Sequence, residues 1–194
     1  MTAPGEFHPF ALARQFSAAA SDCGQPCATR AHKQRARSME PHMRVRGIPT
    51  EHAGHLRAGG GDANGQAPQV IVAEGGRYPC RHCLGLIAEG DEVLVLSYRP
   101  FAAAQPYAET GPIFLHKKNC ARYDGEELPA WFVGLDPAAI RGYDARDWIR
   151  YDTGRIVRGP ELASACESLL SDASVAYAHI RSKFGCFQCH VERA

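Results

Sequence analysis

Glu92-Val93-Leu94-Val95-Leu96-Ser97-Tyr98 is the stretch on which the fold turns. Its unbroken apolar run, Val93 to Leu96, reads as a central strand of a sheet. Working outward, Gln69 to Ala73, Pro112 to His116 and Val175 to Arg181 read as further strands. Met43-Arg44-Val45-Arg46 alternates like a first strand and runs into the turn signal Gly47-Ile48-Pro49. Ala139 to Tyr143 and Trp148 to Asp152 carry a lesser strand pattern, and Gly154 marks a turn before Arg155-Ile156-Val157. Glu51 to Ala58 fits a short helix. One amphipathic helix is clear: Gly159 and Pro160 open it, and Leu162, Cys166, Leu169 and Leu170 recur at helical spacing to form one apolar face. Strands dominate and βαβ units do not repeat. The expected class is therefore α+β, a single domain with a mostly antiparallel sheet.

The chain of 194 residues has the length of one ordinary domain. Residues 1–42 differ in texture, with an Ala- and Ser-rich start, a basic run and no sustained apolar period. They read as an N-terminal extension without stable structure, ahead of a domain at 43–194, with Met43 as an alternative start of translation. Charge divides the same way: residues 1–46 carry seven Lys or Arg against three Asp or Glu, and the remainder fifteen against eighteen. A nucleic-acid binder needs a basic surface to displace counterions from phosphate, and the mildly acidic body lacks one, so nucleic acid is not expected as a partner. Membrane insertion is not expected either. No run approaches the roughly 18 apolar residues a spanning helix needs, and Arg14 breaks the apolar start that a secretory signal would require. A soluble cytoplasmic protein is expected. Gly59-Gly60-Gly61-Asp62-Ala63-Asn64-Gly65 is a flexible loop; it lacks the Lys-Ser/Thr ending of a phosphate loop.

Eight cysteines in a reducing compartment point to metal, thiol chemistry or core packing rather than to disulfides. Pro79-Cys80-Arg81-His82-Cys83-Leu84-Gly85 places two thiols two residues apart before a glycine that permits a tight turn. Gly185-Cys186-Phe187-Gln188-Cys189-His190 is a second such pair. Together Cys80, Cys83, Cys186 and Cys189 can supply the four thiolates of one structural zinc. The fold must bring them together, because Cys83 and Cys186 stand about a hundred residues apart. Val175 to Arg181 and Cys186 to Val191 read as a hairpin. In a regular strand Cys186 and Cys189 would face opposite sides, so a shared ion also requires a break in the ladder. Two rival readings stay open. One is an enzyme using His116, His179 or a reactive cysteine, such as Cys120 beside Lys117 and Lys118, in a cleft near the Tyr98 to Tyr107 loop. The other is a thiol redox protein using a CxxC pair, although Gly85 and Gly90 leave no room for the long helix that follows the motif in thioredoxin-like sites. No residue pattern specifies a reaction.

Several segments beyond Met43 resemble an uncharacterised bacterial family, domain of unknown function 1203. The likeness is carried by Met43-Arg44-Val45-Arg46-Gly47, Pro79-Cys80-Arg81-His82-Cys83-Leu84, Leu96-Ser97-Tyr98-Arg99-Pro100-Phe101 and Gly111-Pro112-Ile113-Phe114. Arg141-Gly142-Tyr143-Asp144, Val175-Ala176-Tyr177-Ala178-His179, Gly185-Cys186-Phe187-Gln188-Cys189 and the closing Glu192-Arg193-Ala194 extend it. The resemblance implies a domain beginning near Met43 and brings no reaction, cofactor or catalytic residue with it.

Overall fold

A computed structural model describes residues 43–76 and 78–194, all within one compact unit, Met39–Ala194. The expected extension, residues 1–42, lies outside the described residues. The chain begins with β1 (Met43–Arg46) and α1 (Thr50–Arg57), followed by β2 (Gln69–Val72), β3 (Tyr78–Pro79), β4 (Leu86–Ile87), β5 (Glu92–Tyr98) and β6 (Gly111–His116). Then come β7 (Asp124–Gly125), β8 (Ala138–Tyr143), β9 (Arg155–Val157), α2 (Leu162–Leu170), β10 (Tyr177–Ser182) and β11 (Phe187–Arg193). Every pairing between strands is antiparallel, giving a six-stranded sheet β7-β1-β11-β10-β8-β9, a three-stranded sheet β2-β5-β6 and the small hairpin β3-β4. The class is α+β with mostly antiparallel sheet, as the residue pattern implies.

The larger sheet has two unlike faces because its strands alternate. Met43 and Val45 of β1, Ile140 of β8, Ala178 and Ile180 of β10, and Cys189 and Val191 of β11 are buried in one core with Leu162, Cys166, Leu169 and Leu170 of α2. The intervening residues, among them Arg46, Tyr143, His179 and His190, therefore fall on the opposite face. A register shift next to Ile180, where Ile180 pairs with Cys189 but Arg181 with Phe187, leaves Gln188 as an extra residue. Such a bulge turns the strand. Phe187 accordingly joins the second core, with Ile48 and Leu56 from α1 and its approach, Cys80, and Val93, Leu94 and Leu96 of β5.

One strand expectation is not met. Trp148 to Asp152 pairs with β8 at a single bridge, between Ile149 and Tyr143, and then runs into a short 3-10 turn at Tyr151–Thr153. The Asp144 carboxylate accepts the backbone N–H groups of Arg146 and Trp148, and Asp147 adopts φ 64°. An Asp side chain that captures backbone donors two and four residues on competes with strand pairing, and its alternating aromatic neighbours imitate a strand pattern without forming one.

Candidate metal centre

Two short strands and one long one bring the site together. After β3, the chain from Cys80 to Cys83 turns back into β4, and the Cys80 N–H donates to the Gly85 carbonyl at 2.8 Å. The left-handed residue of this turn is Leu84, at φ 51°, rather than the glycine that follows it. Burial of the Leu84 side chain, 1% exposed in the α2 core, offsets a strain of roughly 1–2 kcal/mol. The turn docks on the end of β6: the Arg81 N–H donates to the Phe114 carbonyl at 2.9 Å, and the His116 N–H points at the Cys80 sulfur at 3.4 Å. His116 closes β6, and four residues later the chain delivers Cys120. The β1–α1 joint seals the other side, where the Ile48 N–H donates to the Arg81 carbonyl at 2.8 Å. A side chain at Gly47 would sit 2.0 Å from the His82 carbonyl oxygen, so only glycine permits this approach.

The result is a group of four ligand-bearing side chains, Cys80, Cys83, His116 and Cys120, whose donor atoms all lie within 4.8 Å of one another. Cys80 Sγ lies 3.9 Å from Cys120 Sγ, and Cys83 Sγ lies 3.5 Å from His116 Nδ1. Sulfurs about 2.3 Å and a nitrogen about 2.0 Å from a tetrahedral zinc would be separated by about 3.8 Å and about 3.5 Å. The cluster can hold a metal ion. Around it, Arg57 from the end of α1 donates to Cys120 Sγ at 3.0 Å and to the His116 carbonyl at 3.0 Å. His82, buried at 1% exposure, sets Nδ1 3.3 Å from Cys120 Sγ and Nε2 3.1 Å from Thr50 Oγ1.

The thiols differ in acidity. The neighbouring Cys83 thiol and the backbone N–H groups of Cys83, His116 and His82 lower the Cys80 thiol against the cost of burial. Cys83 is pushed up as the donor of that pair, with burial adding to the shift, and Cys120 is raised by burial and by the neighbouring Cys80.

The four residues expected to share one ion are divided. Cys80 and Cys83 join His116 and Cys120, whereas Cys189 is fully buried in the α2 core and Cys186 lines a separate surface hollow with Arg141 and Arg181. The buried guanidinium of Arg81 bonds to the Phe187 and Pro79 carbonyls, linking the two cysteine-bearing segments with a cation. His116 and His179, paired above as candidate enzymatic groups, separate as well: His116 belongs to the cluster, and His179 lines a cavity with Tyr98 and Phe101. Cys120 is at the cluster too, so its chemistry is shared with three other ligands. For thiol exchange, Cys80 is closed to an incoming thiol by its complete burial. The signal that would have led to the cluster is His116-Lys117-Lys118-Asn119-Cys120, a second ligand pair placed just beyond a strand.

All six described cysteines are free. No helix among the described residues is long and apolar enough to cross a membrane. Neither a curated protein nor a solved structure matches the chain. The family model described as Protein of unknown function (DUF1203) matches residues 77–193, from the turn that carries Cys80 and Cys83 to the end of the last strand, and the chain belongs to that family.

Proposed function

We propose that this protein is a small cytoplasmic module clamped by one structural zinc ion on Cys80, Cys83, His116 and Cys120. The observation that carries the reading is the spacing of the donor atoms, which matches two edges of a zinc tetrahedron, Cys80 to Cys120 and Cys83 to His116. Thiolates with one imidazole select zinc over the harder oxygen-seeking cations. Four protein ligands also fill a tetrahedral shell and leave no open position for substrate, which assigns the ion to structure rather than catalysis. Three thiolates around a dication leave one negative charge, and Arg57 at Cys120 Sγ supplies its counterion. Free cysteines throughout the described residues agree with a reducing compartment.

Elemental analysis of the full chain purified under reducing conditions should find one zinc per molecule. Cys120→Ser and His116→Ala should each lose the metal and lower the melting temperature, while Cys186→Ser should keep it. Metal-free protein would overturn the proposal. So would zinc retained in Cys120→Ser but lost in Cys186→Ser, which would return the ion to the two CxxC pairs.

A further inference from the structure

The polar face of the six-stranded sheet is not simply solvated. A cavity of about 350 Å³ lies over it, floored by His179 and His190, walled by Tyr98, Phe101 and Phe187, and bordered by Arg46, Arg99 and Arg122. Its size falls at the lower end of the range for small-molecule sites. Three arginines face one carboxylate, Glu192, among the described residues that line it. Glu192 is already engaged, pairing with Arg46 and with His190. Arg122 spends its Nε on the Gly47 carbonyl at 2.9 Å and has no acidic partner among the described residues. The Arg99 Nε is buried without a hydrogen-bond partner, and so is the Nδ1 of His179, a side chain that is fully enclosed.

A buried donor without a partner is costly, and an anion in the cavity would give the Arg99 Nε the acceptor it lacks. The segment that presents Arg99 is fixed rather than loose. Pro100 restrains it, and Phe101, 7% exposed, packs edge-on against the rings of Tyr143 and His179 at 5.3 Å from each. The backbone at Arg99 is thus fixed at the cavity before anything binds, which lowers the ordering cost of recognition. Guanidinium groups match the flat or trigonal oxygens of carboxylate and phosphate, and the aromatic walls suit a flat apolar body. We infer that the cavity binds a small organic oxyanion, an aromatic or similarly compact body bearing one carboxylate or phosphate, with Arg99 and Arg122 gripping the anionic group.

The test is calorimetric titration of the full chain, purified with its metal content unchanged, with phenyl phosphate, benzoate, inorganic phosphate and benzylamine as probes. Phenyl phosphate or benzoate should bind, with affinity falling as salt is added, and the preferred one identifies the anionic group. Arg99→Gln should weaken that binding by about tenfold or more, the loss expected for a charge-assisted hydrogen bond. Arg99→Lys should fall between the two. Because Arg99 makes no hydrogen bond or ion pair among the described residues, Arg99→Gln should melt with the parent chain, so a binding loss would not be a folding loss. Three outcomes would overturn the inference: neither aromatic anion binds, Arg99→Gln binds them as well as the parent, or benzylamine binds as tightly as they do. Inorganic phosphate binding as tightly as phenyl phosphate would remove the aromatic walls from the recognition.

Discussion

His179 is the side chain whose surroundings demand most of its protonation state. It is fully buried, its ring meets those of Phe101, Tyr143, Tyr177, Phe187 and His190, and burial holds it well below the ordinary value of 6.5, with the neighbouring His190, Arg181 and Arg141 opposing its charge further. The folded chain therefore keeps this imidazole neutral where the unfolded chain protonates it. Above about pH 6.5 both states leave it neutral and it imposes no pH dependence. As pH falls below 6.5 the unfolded chain takes up a proton that the native chain refuses, and stability drops with a slope of up to about 1.4 kcal/mol per pH unit for that one proton. Denaturant unfolding between pH 7.5 and 5.5 should show this decline, and His179→Phe should make it shallower whatever its effect on absolute stability. Equal slopes in the two proteins would mean that His179 titrates freely in the fold. In sequence this residue is simply an alternating position on a strand. Its burial among five rings comes from Phe101 folding over the sheet, which strand periodicity does not encode.

Among the elements, α2 is the most legible, because helix, face and burial all follow from one spacing. Leu162, Cys166, Leu169 and Leu170 are each 2% exposed or less, and the helix packs on β1, β8, β10 and β11. Cys166 acts there as a small apolar group, its thiol pushed up to about 12 by burial. Cys166→Ser should cost roughly 1–3 kcal/mol more than Cys166→Ala in denaturant unfolding, since the hydroxyl loses water without gaining a partner. Equal tolerance of both changes would place the residue at a site that water reaches. The strands β2, β5 and β6 were readable for a similar reason, as continuous or alternating apolar runs closed by turn residues. The Trp148 segment was not, because side-chain bonds from Asp144 decide its path and hydrophobic pattern says nothing about them.

At the scale of the whole molecule, sequence reading takes Cys80 and Cys83 as one half of a candidate metal site and seeks the other half in the repeated CxxC. The structure instead sets them beside His116 and Cys120, because Arg81 pairs the turn to Phe114 and carries it to the end of β6. That contact is tertiary, and no local spacing foretells which strand a turn will dock on. The β1–α1 joint then ties the two candidate sites into one frame: the Gly47 carbonyl accepts Arg122 from the cavity, and its Cα rests against His82 beside the cluster. β1 is the member of that frame closest to the start of the described chain, paired with β11 through all four of its residues and with β7 through Val45 and Arg46. Met43 itself is 5% exposed and belongs to the α2 core, so the domain's packing reaches back to that residue. We therefore propose that residues 1–42 are dispensable for folding. A chain beginning at Met43 should melt within a few degrees of the full chain, the shift left by a difference of less than about 1 kcal/mol in a domain of this size. It should also hold the same metal content. A larger drop in melting temperature would mean that the first 42 residues pack against the domain, and would move the boundary toward the amino terminus.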